Sequence, residues 1–146
     1  MSAPRTLTFF GGAATATGSM ILLEAAGARI LLDAGLFQGN VDLADAKNRE
    51  LPLDPRRVDA ILLSQAGLSY SGRAPQLVRH GFDGPIYGTP ATRDMAAILL
   101  AEAAIDSADE CILILNLDNT VIYVNPAYEK QHDVRLAEIA GRQPGS

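Results

Sequence analysis

The sequence predicts a layered α/β fold up to about Ala104, passing into an α+β segment over residues 105–146. Three observations predict it. Short apolar runs alternate with helical patterns through the first two thirds of the chain. Residues Val58–Ser64 (VDAILLS) form a near-continuous apolar run, as in a strand buried on both faces. After Ala104 the pattern becomes a hairpin followed by short polar helices, and the charge shifts with it. Residues 1–104 hold 9 Lys/Arg against 10 Asp/Glu, whereas residues 105–146 hold 3 against 7. The boundary is therefore placed near Ala104–Asp106.

Each element has a local reason. Leu7–Phe10 is short, apolar and β-prone, and Gly11-Gly12 ends it. Met20–Glu24 and Arg29–Asp33 read as a hairpin with Gly27 in its turn. Ala34–Asn40, with Gly35 and Gly39, is a loop, and Val41–Arg49 is polar enough for a short surface helix. Asp54-Pro55 starts a turn or helix. Gly72–His80 has helical spacing at Leu77 and Val78, and Gly81 ends it. Pro85–Tyr87 is a short strand. Thr89-Pro90 is a capping hydroxyl followed by a proline where no N–H is needed. The helix it opens runs to about Ser107, with Met95, Ile98, Leu99 and Glu102 to Ile105 on successive turns. Cys111–Leu115 and Val121–Val124 are strands joined by Asn116–Asn119. Asn125-Pro126 starts another helix, and Val134–Ala140 forms a last one ended by Gly141.

Composition bounds the function. A net charge of −5 argues against a protein that coats nucleic acid with a dense basic face. At 48% hydrophobic and 20% charged residues the chain is not a disordered tail. The single Cys111 excludes an internal disulfide. No apolar run reaches the ~18–20 residues of a membrane span, and Met1–Phe10 lacks a signal-peptide apolar core. The expected compartment is cytoplasmic. Arg56, Arg57, Arg73, Arg79 and Arg93 are dispersed, with Asp54, Asp59, Asp83 and Asp94 beside them, so a solvated mixed-charge surface is expected and nucleic acid is an unlikely partner. Exposed sheet edges or the 90–107 helix offer routes to a homodimer.

The segments GGAATATGSMILLEAAGARILLDAGLFQG, Gly11 to Gly39, and VDAILLSQAGLSYSGRAPQLVRHGFDGPIYGTPAT, Val58 to Thr92, carry a recognisable order, spacing and hairpin placement. On them, Leu7–Ala104 resembles the start of the metallo-β-lactamase fold in its RNA-processing branch, the β-CASP ribonuclease-like family. The resemblance implies part of an αββα layer. It also implies a His-x-His-x-Asp-His block after the buried strand, where imidazoles and a carboxylate hold zinc and activate water. Here the block reads Gln65-Ala66-Gly67-Leu68-Ser69-Tyr70. Gln65, Gly67, Ser69 and Tyr70 stand at the ligand positions. An amide oxygen, no side chain, a neutral hydroxyl and a phenol of pKa about 10 replace the ligands. Among the family's acidic positions only Asp33 matches, and capping the Gly35 loop accounts for it.

Other chemistries are weaker. His80 and His132 read as surface histidines, and Ser19, Ser64, Ser69 and Ser71 lack a positioned His base. Gly11-Gly12 and Gly18 lack the spacing and the Gly-Lys-Ser/Thr ending of a phosphate loop. No catalytic residue, metal or other cofactor is expected, and no stoichiometric zinc.

Ile105–Ser146 looks like the first part of a PAS sensor domain: a lead-in helix, a strand, a tight turn, a strand, then Asn125, Pro126, Ala127 and Tyr128 opening a helix. Haem- or flavin-ligating positions normally lie beyond this part, so no bound cofactor is expected. The combined reading is a non-catalytic metallo-β-lactamase-like scaffold joined to a partial PAS module, with a regulatory or binding role and no enzyme activity. The alternatives are a PAS-type sensory or dimerisation unit, and a metal-dependent RNA-processing hydrolase active despite the altered motif.

Overall fold

The computed structural model describes residues 5–144. The chain divides into two compact units, Met1–Leu100 and Ala101–Ser146.

The first unit is a five-stranded mixed sheet in the order β1-β2-β3-β4-β5. The strands are β1 (Thr6–Gly11), β2 (Met20–Ala25), β3 (Ala28–Leu32), β4 (Ala60–Leu62) and β5 (Ile86–Tyr87). β1–β2 and β2–β3 pair antiparallel, β3–β4 and β4–β5 parallel. The β2–β3 turn needs positive φ at two successive residues and takes it at Ala26 (52°) and Gly27 (84°), as a two-residue hairpin requires. Helix α1 (Val41–Arg49) starts where the Asn40 side chain accepts from the Leu43 N–H at 3.2 Å. A 3₁₀ turn at Pro55–Arg57 is capped by Asp54.

The expected helix over Gly72–His80 is α3 (Ala74–Arg79), which starts two residues later with Pro75 in its first turn, where no N–H is needed. A short helix that the sequence pattern does not predict, α2 (Leu68–Ser71), precedes it. α3 buries Ala74 and Leu77 against Met20, Leu22, Leu31, Ile61 and Phe82 to form the core. β4 is shorter than the Val58–Ser64 run and is not buried on both faces. Ile61 is fully buried, while Leu62 on the opposite face is 41% exposed.

Helix α4 (Pro90–Asp106) starts as expected, with the Thr89 hydroxyl accepting from the Thr92 N–H at 3.1 Å. Its buried positions are Thr92 and Ala96, whereas Met95 and Ile98, expected on an inward stripe, are exposed. The helix carries apolar residues around much of its circumference, so its periodicity did not select one face.

The second unit contains the β6 (Leu113–Leu115) and β7 (Val121–Val124) hairpin, then α5 (Pro126–His132) and α6 (Leu136–Ile139). Asn119 at φ 61° closes the hairpin turn. No helix among the described residues is long and apolar enough to cross a membrane.

Candidate functional site

The loops that leave β1, β3 and β4 converge on Asp33. Asp33 adopts φ 60°, a left-handed conformation that Asp tolerates better than most residues, and it is 6% exposed. Its carboxylate accepts three hydrogen bonds: from the Ser19 hydroxyl at 2.9 Å, the Ser64 N–H at 2.8 Å and the Ser64 hydroxyl at 3.0 Å. Backbone bonds complete the knot. The Ser19 N–H donates to the Ser69 carbonyl at 2.9 Å, Ala34 N–H to Tyr70 at 2.6 Å, Gly35 N–H to Ser19 at 2.8 Å and Leu36 N–H to Leu68 at 2.8 Å. Gly35 is required here, because a Cβ would lie 1.7 Å from the Ser69 carbonyl oxygen. Asp33 thus fastens three strand ends to the 65–70 segment, a wider role than the capping expected from sequence.

The four positions of the altered block lie on or beside α2. The Ser69 hydroxyl donates to the Gln38 side chain at 2.7 Å. Gly67 is the N-cap of α2, and no side chain caps it. The donor set does not fit a zinc site. Among the described residues no three His, Cys, Asp or Glu side chains gather in one place. Asp33, the matching acid, has its oxygens committed to serine and backbone donors. His80 ends α3, its Nδ1 against the Gln76 carbonyl at 2.8 Å, and His132 packs on Tyr128 with ring centroids 4.3 Å apart. Ser71 donates to the Ala66 carbonyl at 2.7 Å, so its hydroxyl is a structural tie.

A feature that sequence reasoning passed over flanks this knot. Arg73, taken for a dispersed surface charge, is 2% exposed. Its Nε–H donates to Gln76 Oε1 at 3.0 Å and an Nη2–H to the Glu50 carbonyl. Burial pushes its pKa below the ordinary arginine value. No carboxylate among the described residues forms an ion pair with it; the pairs found are Arg29–Glu24, Arg56–Asp54 and Arg93–Asp94. The only hint in the sequence was its place between Gly72 and Pro75, where the chain turns inward.

In the second unit Asn125 is the pivot of the Asn125–Tyr128 step. It is fully buried, accepts from the N–H groups of Ile112 (2.9 Å) and Tyr128 (3.1 Å), and donates to the carbonyls of Ile105, Ala108 and Glu110. Pro126 and Ala127 open α5 and line an open cavity of about 550 Å³ with Asp106, Asp109, Lys130 and Gln131.

No family model matches the sequence. The chain is 46% identical over 95 residues to Ribonuclease TTHA0252 of Thermus thermophilus, covering 64% of this chain and 21% of that protein. It is 37% identical over 100 residues to Transcription termination factor FttA of Methanothermobacter thermautotrophicus, covering 64% of this chain and 15% of that protein. The chain thus spans about a fifth or less of the length of these relatives. Human tRNase Z, short form, overlays with a TM-score of 0.43 at 18% identity, covering 79% of this chain and 56% of that one, too slight a likeness to carry an argument.

The two sequence relatives overturn three expectations: a non-catalytic scaffold, the absence of enzyme activity, and nucleic acid as an unlikely partner. Those expectations weighed four altered positions and scattered arginines above the whole segment, and the likeness runs across about 95 residues of it. Nothing in these likenesses supports the sensor and signalling reading of residues 105–146.

Proposed function

We propose that the first unit is a segment of an RNA-processing hydrolase of the metallo-β-lactamase type, and that the chain acts on RNA. The observation that carries this reading is the 46% identity over 95 residues to a protein named a ribonuclease. The geometry supports it, because strand-end loops from one edge of the core gather around Asp33 beside an aromatic and cationic surface. In the resemblance, metal ions supply the water-activating chemistry. Gln65, Gly67, Ser69 and Tyr70 do not fit them in this chain. What these residues do is hold the loops. Asp33 locks Ser19 and Ser64 in place, and Ser69 fixes Gln38 at the rim.

The test is incubation of end-labelled single-stranded RNA with the purified chain, in Mn²⁺, in Zn²⁺ and in chelator, read on a denaturing gel and by retardation on a native one. Retarded RNA and shortened products are expected. Intact, unretarded RNA under every condition would overturn the reading.

A further inference from the structure

Beside the Asp33 knot runs a groove that the proposed hydrolytic role leaves unused. One part, a cavity of about 240 Å³, is lined by Phe10, Thr15, Phe37, Lys47, Glu50 and Arg73 among others. A second cavity, of about 300 Å³, shares Thr15, Phe37 and Lys47 and continues past Thr17, Gln38 and Asn40. The Lys47 ammonium sits 4.8 Å from the centroid of the Phe37 ring, so the groove joins an aromatic face to a cation. Phe37 is held in position: a Cβ at Gly18 (φ 76°) would meet its ring at 2.6 Å, so only glycine admits it there. The Phe37 N–H and carbonyl are both taken by the Asn48 side chain, at 2.9 and 2.8 Å, which ties the backbone of Phe37 to α1.

Arg73 supplies the second cation. A guanidinium has five N–H donors, and two donor contacts within the chain engage it. A charge 2% exposed and without a carboxylate partner is costly to bury unless an anion completes it. Glu50 is the one carboxylate lining the same cavity, and Arg73 bonds its backbone carbonyl, not its side chain.

An aromatic platform with cations at its margin is the arrangement that holds single-stranded nucleic acid, bases stacking on the ring and phosphates meeting the charges. We infer that this groove is a nucleotide subsite for single-stranded RNA, in which a base stacks on Phe37 while Lys47 and Arg73 face the adjoining phosphates. The inference rests on the RNA-acting role proposed above and adds the place where the strand is held. Stacking displaces Lys47 from the ring towards the phosphate of the same nucleotide.

The test is fluorescence anisotropy with a labelled ten-residue oligouridylate, on the full chain and on Phe37→Leu and Lys47→Gln. Leu at 37 keeps the apolar contact with Gly18 and removes the stacking face. Lys47 is exposed on α1, so its replacement leaves the fold intact; thermal melts check both. Phe37→Leu is expected to weaken binding about tenfold. Lys47→Gln is expected to lower the slope of log affinity against log salt by about 0.7. If the parent binds the oligouridylate and both variants match it, the subsite is overturned and the RNA-acting reading stands. If the parent does not bind it, the subsite is overturned too, and the cleavage and retardation assay decides the RNA-acting reading separately.

Discussion

Asp33 shows how one side chain can do the work of several. Three donors from two loops end on its carboxylate in a nearly water-free place. Asp33→Ala strands the Ser64 N–H and two hydroxyls and puts alanine at φ 60°, so a loss of about 3 kcal/mol in urea denaturation is expected. A change within experimental error would mean that water replaces the carboxylate freely. Tyr123 gives a test in pH. Its hydroxyl donates to the Asp106 carboxylate, and that bond, with the nearby negative charge, pushes the phenol up to about 12. The folded pKa is raised above the ordinary value, so the bond's contribution is complete below about pH 10 and is lost as pH climbs to about 12. Ultraviolet titration should show the Tyr123 phenolate forming only towards pH 12, and Asp106→Asn should bring its ionisation to lower pH.

Among the elements, the strand-end loops depend on glycine in a way that helices elsewhere in the chain do not. Gly35 admits the Ser69 carbonyl where a Cβ would stand at 1.7 Å. Gly35→Ala must push β3's exit loop away from α2 and break the Gly35–Ser19 and Ala34–Tyr70 bonds together. A loss of roughly 3 kcal/mol or more, read as a depressed melting temperature, is expected. Gly27→Ala is the matched control: its turn is open, with nothing within 4 Å of a Cβ, so only the cost of a positive φ is expected, about 1 kcal/mol. Equal losses at the two positions would refute the close-approach argument.

For the molecule as a whole, charge bears on the proposed RNA binding. A chain of net −5 and isoelectric point near 4.9 repels a polyanion at long range. The proposed binding therefore rests on the groove's local cations at close quarters. At about 0.7 per neutralised phosphate on a single strand, Lys47 and Arg73 together predict a salt slope near −1.4. Equilibrium titrations across a salt series measure it. A slope of −4 or steeper would place the strand on a broad basic face, and the groove would then be the wrong surface.

By itself the sequence determined the elements and their ends. The Thr89 and Asn125 caps follow from side chains bonding within a few residues of themselves, and the β2–β3 hairpin and the Gly81 and Gly141 stops from local positive φ. It also displayed the altered block at Gln65–Tyr70 and the resemblance carried by Leu7–Ala104. The tertiary structure alone decided which faces are covered and which charges are buried. Arg73 among the scattered arginines, Met95 and Ile98 on α4, and the exposed side of β4 all depend on which surface packs opposite. The physical reason is range. Caps and turns close over three or four residues, whereas the Asp33 knot and the Phe37–Arg73 groove join residues 14 to 63 positions apart, and no local pattern encodes that meeting.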